Sequence, residues 1–231
     1  MQKIFLVFII LCVQVGWGYA KNTDNTIKNK VTQISSVSEI YQLYIDMKLE
    51  NVISYDIFQK AYDGYKKINS KKELLTVVDF TKPSTQERMF VLDIKQRKII
   101  FSTHVSHGRN SGGNYATSFS NKNGSYQSSL GFYLTEGTYN GKNGYSLVLH
   151  GLEKGINDKA KERAIVIHGA AYANPSAAKT NGRLGRSLGC PALPQKVSKQ
   201  VINAMKGGSV LFIYANDKNY LSRSIYLNNK A

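Results

Sequence analysis

Residues 163–172 read Arg163-Ala-Ile-Val-Ile-His168-Gly169-Ala-Ala-Tyr172. Ala164 to His168 is short, apolar and β-branched at its centre, with a charged stretch before it and a glycine after it. Those are the marks of a buried strand. The run ends on His168, which puts an imidazole at the rim of a sheet, fixed yet accessible. Similar runs lie on both sides: Leu74 to Phe80, Arg88 to Ile94, Ile99 to Val105, Tyr145 to His150 and Ser209 to Tyr214. The second and third flank Lys95-Gln-Arg97-Lys98, a polar connection of hairpin length. Residues 107–144 carry Gly, Ser, Asn and Tyr with few long aliphatics and read as a long irregular stretch, anchored by Leu130-Gly-Phe-Tyr133. Glu153 to Arg163 has the length of a short helix or a crossover. Helical spacing is present at Ile40, Leu43, Tyr44 and Met47, and at Ile57, Phe58, Ala61, Tyr62 and Tyr65, with Asp56 as a candidate cap. Pro194 suits the first position of a helix running to Met205, whose apolar face is Val197, Val201, Ile202 and Met205, with Gly207 after its last turn. These patterns give a mostly β (α+β) fold class. A sheet domain with short helices spans 73–231, preceded by a linker and a small helical element over 21–72.

The chain has 231 residues, enough for one domain with a real core and some extra elements. Its first twenty residues read as an export signal. Lys3 gives the positive start, Ile4 to Val15 is apolar except for Gln14, and Gly18-Tyr-Ala20 offers a cleavage site. The apolar run is shorter than the roughly 20 residues that cross a bilayer, which argues against an anchor. Leu11 before Cys12 is too large for lipoprotein processing. The expected location is therefore the periplasm or cell envelope, with no stable membrane insertion once the signal is removed. The formal net charge is +16, and the basic residues are dispersed. That charge suits a solvated surface or attraction to anionic wall polymers or lipid head groups. An exported chain without a nucleic-acid motif gives no reason to expect nucleic acid as a partner.

Signal removal leaves one cysteine, Cys190, in Arg186-Ser-Leu-Gly-Cys-Pro191. Exported proteins usually pair their cysteines, so a lone thiol is an inert buried group, a cross-linker or a reactive centre. Gly189 permits a tight backbone path, Pro191 and Pro194 stiffen the chain beyond the thiol, and the next helix N-terminus would favour a thiolate. A thiol with its ordinary pKa of about 8.5 needs a base at neutral pH, and an imidazole supplies one. His168 has the Gly169 carbonyl beside it to orient the ring. His150-Gly151 repeats the pattern, and spacing alone does not rank the two. His104, His107, His150, His168 and Cys190 match no zinc-ligand spacing, so neither metal nor cofactor is expected.

The combined pattern is more specific than any of its parts. His168-Gly169-Ala-Ala-Tyr172 followed by Gly182-Arg-Leu-Gly-Arg-Ser-Leu-Gly-Cys-Pro-Ala192 resembles the signature of cysteine L,D-transpeptidases, above all the branch of murein L,D-transpeptidase catalytic domains. The resemblance extends to Ser106-His-Gly, Phe119-Ser-Asn121 and Ser128-Ser-Leu-Gly-Phe-Tyr133, covering roughly residues 90–215. It implies a mostly β catalytic domain with Cys190 as nucleophile, His168 as base and the Gly169 carbonyl as orienter. It also implies an oxyanion hole from the backbone of the turn Ser187-Leu188-Gly189 into Cys190. The implied reaction is acyl transfer between peptidoglycan stem peptides, donor and acceptor, or hydrolysis at the same site as an L,D-carboxypeptidase or cross-link-cleaving peptidase. A non-catalytic wall-binding protein is the alternative of another class. Leu188 stands where many relatives have His, which removes a rival base. Ala192 stands where many have Arg, which leaves Arg183 and Arg186, with Tyr172, as the candidates for holding substrate.

Overall fold

The strand-forming runs assemble into one eight-stranded sheet in the computed structural model, which describes residue 28 and residues 39–228. The expected signal over 1–20 and nearly all of the linker lie outside the described residues. The strands are β1 Leu74–Asp79, β2 Met89–Asp93, β3 Lys98–Thr103, β4 Gly131–Gly141, β5 Gly144–Gly151, β6 Val166–Ala170, β7 Ala192–Pro194 and β8 Val210–Tyr214. Their order across the sheet is β3-β2-β1-β8-β4-β5-β6-β7. The pairs β1–β8 and β6–β7 are parallel and the rest antiparallel. The polar connection at 94–97 closes the β2–β3 hairpin, where Asp93 Oδ1 accepts from Gln96 N–H at 2.8 Å.

The two ends of that order do not stay apart. The chain leaving β3 runs on to Ser106, which bridges Ala192 of β7 in antiparallel fashion. Ser106 N–H donates to Ala192 O at 2.8 Å. One register row therefore crosses Ser146, His168, Ala192 and Ser106. Partners in register share a face of the sheet.

Residues 39–46 form a first helix, α1. Then come α2 Tyr55–Ile68, α3 Pro175–Asn181, α4 Gln195–Met205 and α5 Lys218–Arg223, with a single 3-10 turn at Ala171–Ala173. Helix α2 buries Ile57, Phe58, Ala61 and Tyr65 and packs on β1 and β8. Its Gly64 lies against the Phe132 ring, where a Cβ would come within 2.1 Å of Cζ. Helix α4 buries Val201, Ile202 and Met205 and packs on β5, β6 and β7. From Tyr44 on, the described residues make one compact unit, so α2 shares the unit of the sheet.

Four local readings change. Ser54, not Asp56, caps α2: its Oγ accepts from Ile57 N–H, while Asp56 pairs with Lys60 one turn on. Pro194 ends β7 and is the N-cap of α4, so the helix starts at Gln195. The stretch 107–144 is irregular only as far as Leu130, because β4 occupies its end and lies inside the sheet between β8 and β5. Residues 153–163 form consecutive turns, since β5 and β6 are antiparallel and need no crossover.

Candidate active site

Cys190 closes a turn built by its neighbours. Ser187 Oγ accepts from Gly189 N–H at 3.0 Å and donates to Cys190 O at 2.6 Å. The backbone at Gly189 has φ +126°, and a Cβ there would meet Gln127 O at 2.9 Å. Glycine is required at this position for both reasons. The Ser106-His107-Gly108 segment holds the turn from one side: Ser187 N–H donates to His107 O at 2.9 Å and Arg109 N–H to Ser187 O at 2.7 Å. From the other side Ser128 Oγ donates to Gly189 O at 3.1 Å. Leu188 is exposed at the apex of the turn. The Gly189 N–H is engaged within the turn, whereas those of Leu188 and Cys190 reach no oxygen among the described residues.

The sulfur lies against the lead-in to β6. Cys190 Sγ is 3.6 Å from Ala164 O, so the resting thiol donates to that carbonyl. Ala164 has a left-handed backbone, φ 52°, which turns its carbonyl out of the strand line. Burial pushes the thiol above its ordinary pKa. The Val166 N–H and the charge of Arg163 pull it back. Burial thus opposes the thiolate, and Arg163 is the cation that favours it.

His168 is buried on β6, in register with Ala192 two residues past the cysteine. Its Nδ1 is 3.1 Å from Gly169 O. A carbonyl only accepts, so Nδ1 carries the proton and the neutral ring keeps Nε2 as its free base. Gly169 has no room for a side chain, because a Cβ would meet Ser198 Oγ of α4 at 2.4 Å. His150 is elsewhere. It lies half-exposed on β5, 3.9 Å from the Glu136 carboxylate and four residues along the strand from Ser146, the partner of His168. The structure thus separates two histidines that spacing left equal.

The arginines are distributed differently from the sequence expectation. Arg186 is exposed and donates to Arg109 O at 3.0 Å and Gly112 O at 2.9 Å. Arg183 donates to Leu184 O at 2.9 Å. Neither supplies the charge felt by Cys190, which comes from Arg163, ahead of Ala164. Tyr172 is half-buried near the same sulfur. Burial, then the negative charge of a Cys190 thiolate, pushes its hydroxyl up to about 12. Its ring packs against Gly185, where a Cβ would come within 2.4 Å of the Tyr172 Cβ.

Sequence reasoning missed the pair behind the turn. Arg88 is fully buried, donating to Lys82 O at 3.0 Å, to Val105 O at 2.8 Å and to His107 Nδ1 at 2.8 Å. Burial lowers its pKa to about 9, with the Asp79 carboxylate opposing, and it stays charged at neutral pH. His107 accepts at Nδ1, so its Nε2–H faces Gly112 O at 3.4 Å. Arg88 was visible only as a cation opening an apolar run, a signal that strand patterns tolerate at their ends. His104 faces Thr85 O. No cluster of three or more His, Cys, Asp or Glu able to hold a metal occurs among the described residues.

The sequence of residues 49–214 matches the family of L,D-transpeptidase catalytic domains (YkuD_2). That span is most of the chain, and the protein belongs to this family. A comparison with curated proteins gives no match. Among solved structures, an L,D-transpeptidase from Mycobacterium smegmatis shares 12% identity, with a TM-score of 0.39 over 62% of this chain and 59% of that chain. An L,D-transpeptidase from Mycobacterium tuberculosis H37Rv shares 15%, with a TM-score of 0.40 over 62% and 58%. The helical cell shape determining protein Pgp2 (K307A mutant) from Campylobacter jejuni shares 14%, with a TM-score of 0.41 over 69% and 57%. This chain covers less than two thirds of each of these longer proteins.

Proposed function

We propose that the protein is a cysteine L,D-transpeptidase of the cell envelope, exported by its first twenty residues. It takes an acyl group from one peptidoglycan stem peptide and passes it to an amine on another. The observation that carries this reading is the His168 ring, tied at Nδ1 to Gly169 O and in register with the strand that leaves Cys190. An imidazole held by a carbonyl at Nδ1, on the strand paired with the one that leaves a buried thiol, is suited to general-base activation.

The thiol proton moves from its contact with Ala164 O to His168 Nε2 as the sulfur attacks the carbonyl carbon of the stem peptide bond. A C–S bond forms and the charge collects on the carbonyl oxygen, for which the Leu188 and Cys190 N–H groups are the available donors. The C–N bond then breaks, the terminal D-amino acid leaves with the proton from His168, and a thioester remains on Cys190. An incoming amine gives up its proton to His168 as its nitrogen forms a new C–N bond to the thioester carbon; the C–S bond then breaks, the Cys190 sulfur takes that proton back, and the cross-linked stems are released. Arg183, Arg186 and Tyr172 are the candidates for gripping the stem.

Incubation with tetrapeptide-stem muropeptides and mass spectrometry of the products tests this directly. Dimers with loss of one D-amino acid per linkage are expected, with at least a roughly thousandfold loss in Cys190→Ala, on the scale seen when catalytic nucleophiles are removed. Shortened stems without dimers would replace transfer by hydrolysis. Activity left intact in Cys190→Ala would remove the nucleophile assignment.

A further inference from the structure

Arg163 stands immediately before the Ala164 that receives the thiol proton contact. Its guanidinium is fixed by four contacts: Nη1 to Ser120 O at 2.7 Å and to Ser129 Oγ, and Nη2 to Gln127 O at 2.6 Å and to Ser125 Oγ at 3.3 Å. These anchor both ends of the 120–129 segment, which also reaches Gly189 through Ser128 Oγ. The guanidinium is close to the turn itself, since a Cβ on Gly189 would lie 3.4 Å from Nη2. All four partners are neutral, and Arg163 has no carboxylate partner among the described residues.

A cation partly withdrawn from water usually brings its counter-ion. This one is held by carbonyls and hydroxyls that leave its charge uncompensated, next to the only sulfur of the described residues that can ionise. Both Nη atoms are committed to protein partners, which leaves little to grip a substrate.

We propose that Arg163 is the positioning cation of the thiol site, holding the 120–129 segment against the cysteine turn and facing its fixed charge to the Cys190 thiolate. It fills the electrostatic place that Ala192 leaves vacant, from the turn that leads into β6. The inference rests on the reading of Cys190 as nucleophile. It adds that the thiolate forming on proton transfer is stabilised by a group outside the cysteine motif.

The test uses the full chain carrying Cys12→Ser, so that Cys190 is the single thiol. The rate of alkylation by iodoacetamide is followed against pH. Arg163→Met is expected to raise the midpoint by about one pH unit or more, the usual effect of an opposite charge at close range. Arg163→Lys is expected to restore most of that shift. The double variant Ser125→Ala/Ser129→Ala loosens the segment without removing the charge and is expected to leave the midpoint within about half a unit, well inside the charge effect. A midpoint unchanged in folded Arg163→Met, or moved equally by the serine variant, would overturn the proposal. Should Arg163→Met fail to fold, the native Cys12→Ser chain answers alone. Its rate ratio for iodoacetate over iodoacetamide is expected to exceed that of the same chain in urea by about tenfold, as for one pKa unit of charge interaction, and a ratio no higher would overturn it. Alkylation requires no stem peptide, so failure of the Arg163 assignment is read apart from failure of transpeptidation.

Discussion

Gly189 carries more of the site than its size indicates. Its φ of +126° is a conformation L-residues avoid, and its Cα faces Gln127 O and the Ile165 side chain. A methyl group there meets backbone on one side and core on the other. Gly189→Ala is expected to cost about 2–3 kcal/mol in urea unfolding, the range for strain combined with overpacking. It should lower transpeptidation further, because the turn that presents the Cys190 N–H is displaced. Ser187 acts on the same turn by joining Gly189 N–H to Cys190 O through one hydroxyl. At this scale the sequence was informative. Cys190, His168 and their glycines stood out because a lone cysteine after a glycine and a strand-end His-Gly pair are short, distinctive patterns. Arg163 did not stand out, because its partners are backbone carbonyls and serines from residues 120–129, and such contacts leave no spacing pattern.

Among the elements, those with strong apolar runs were legible and those with other duties were not. Strands β1, β2 and β8 are buried almost throughout and read as apolar runs. Strand β4 is buried only from Gly131 to Tyr133 and again at Thr135, then extends outward as a hairpin with β5. Its Gly, Thr and Asn content reflects that exposed half. Strand β7 spans only Ala192–Pro194 and ends on a proline, which a sheet admits at an edge. The C-terminal helix α5 is fastened by a single buried carboxylate. Glu153 accepts from Phe132 N–H at 2.7 Å, from Ser224 Oγ and from Tyr220 OH at 3.4 Å. Glu153→Ala leaves those donors without an acceptor and is expected to cost about 2–3 kcal/mol. Trypsin should then cleave at Lys218 and Arg223 several-fold faster than in the parent chain, and an unchanged cleavage rate would show that α5 is held by other means.

For the whole molecule, pH acts through buried groups of opposite slope. Burial first, then the charges of Arg88 and Arg186, lowers His107 from 6.5 to about 4, against hydrogen bonds to the Gly112 and Gly113 backbone. The unfolded chain takes up a proton below pH 6.5 that the folded chain refuses until about pH 4. Stability is therefore complete above pH 6.5 and falls through that window, by about 3 kcal/mol from this group. Burial raises Glu153, so its contribution has the opposite sign, present at low pH and lost as pH rises above its ordinary carboxylate range. The melting temperature should drop between pH 6.5 and 4, and His107→Gln, which keeps an acceptor for Arg88, should flatten the drop. An equal slope in the variant would place the titration elsewhere.

The Ser106–Ala192 bridge joins segments far apart along the chain, and the thiol turn hangs from that junction. Such a contact closes late, since distant parts of the chain must first be brought together. Until it closes, Cys190 lacks the His107 support of its turn. On the role proposed for Cys190, acyl transfer then depends on completed folding, and a nascent or partly unfolded chain would lack the assembled site.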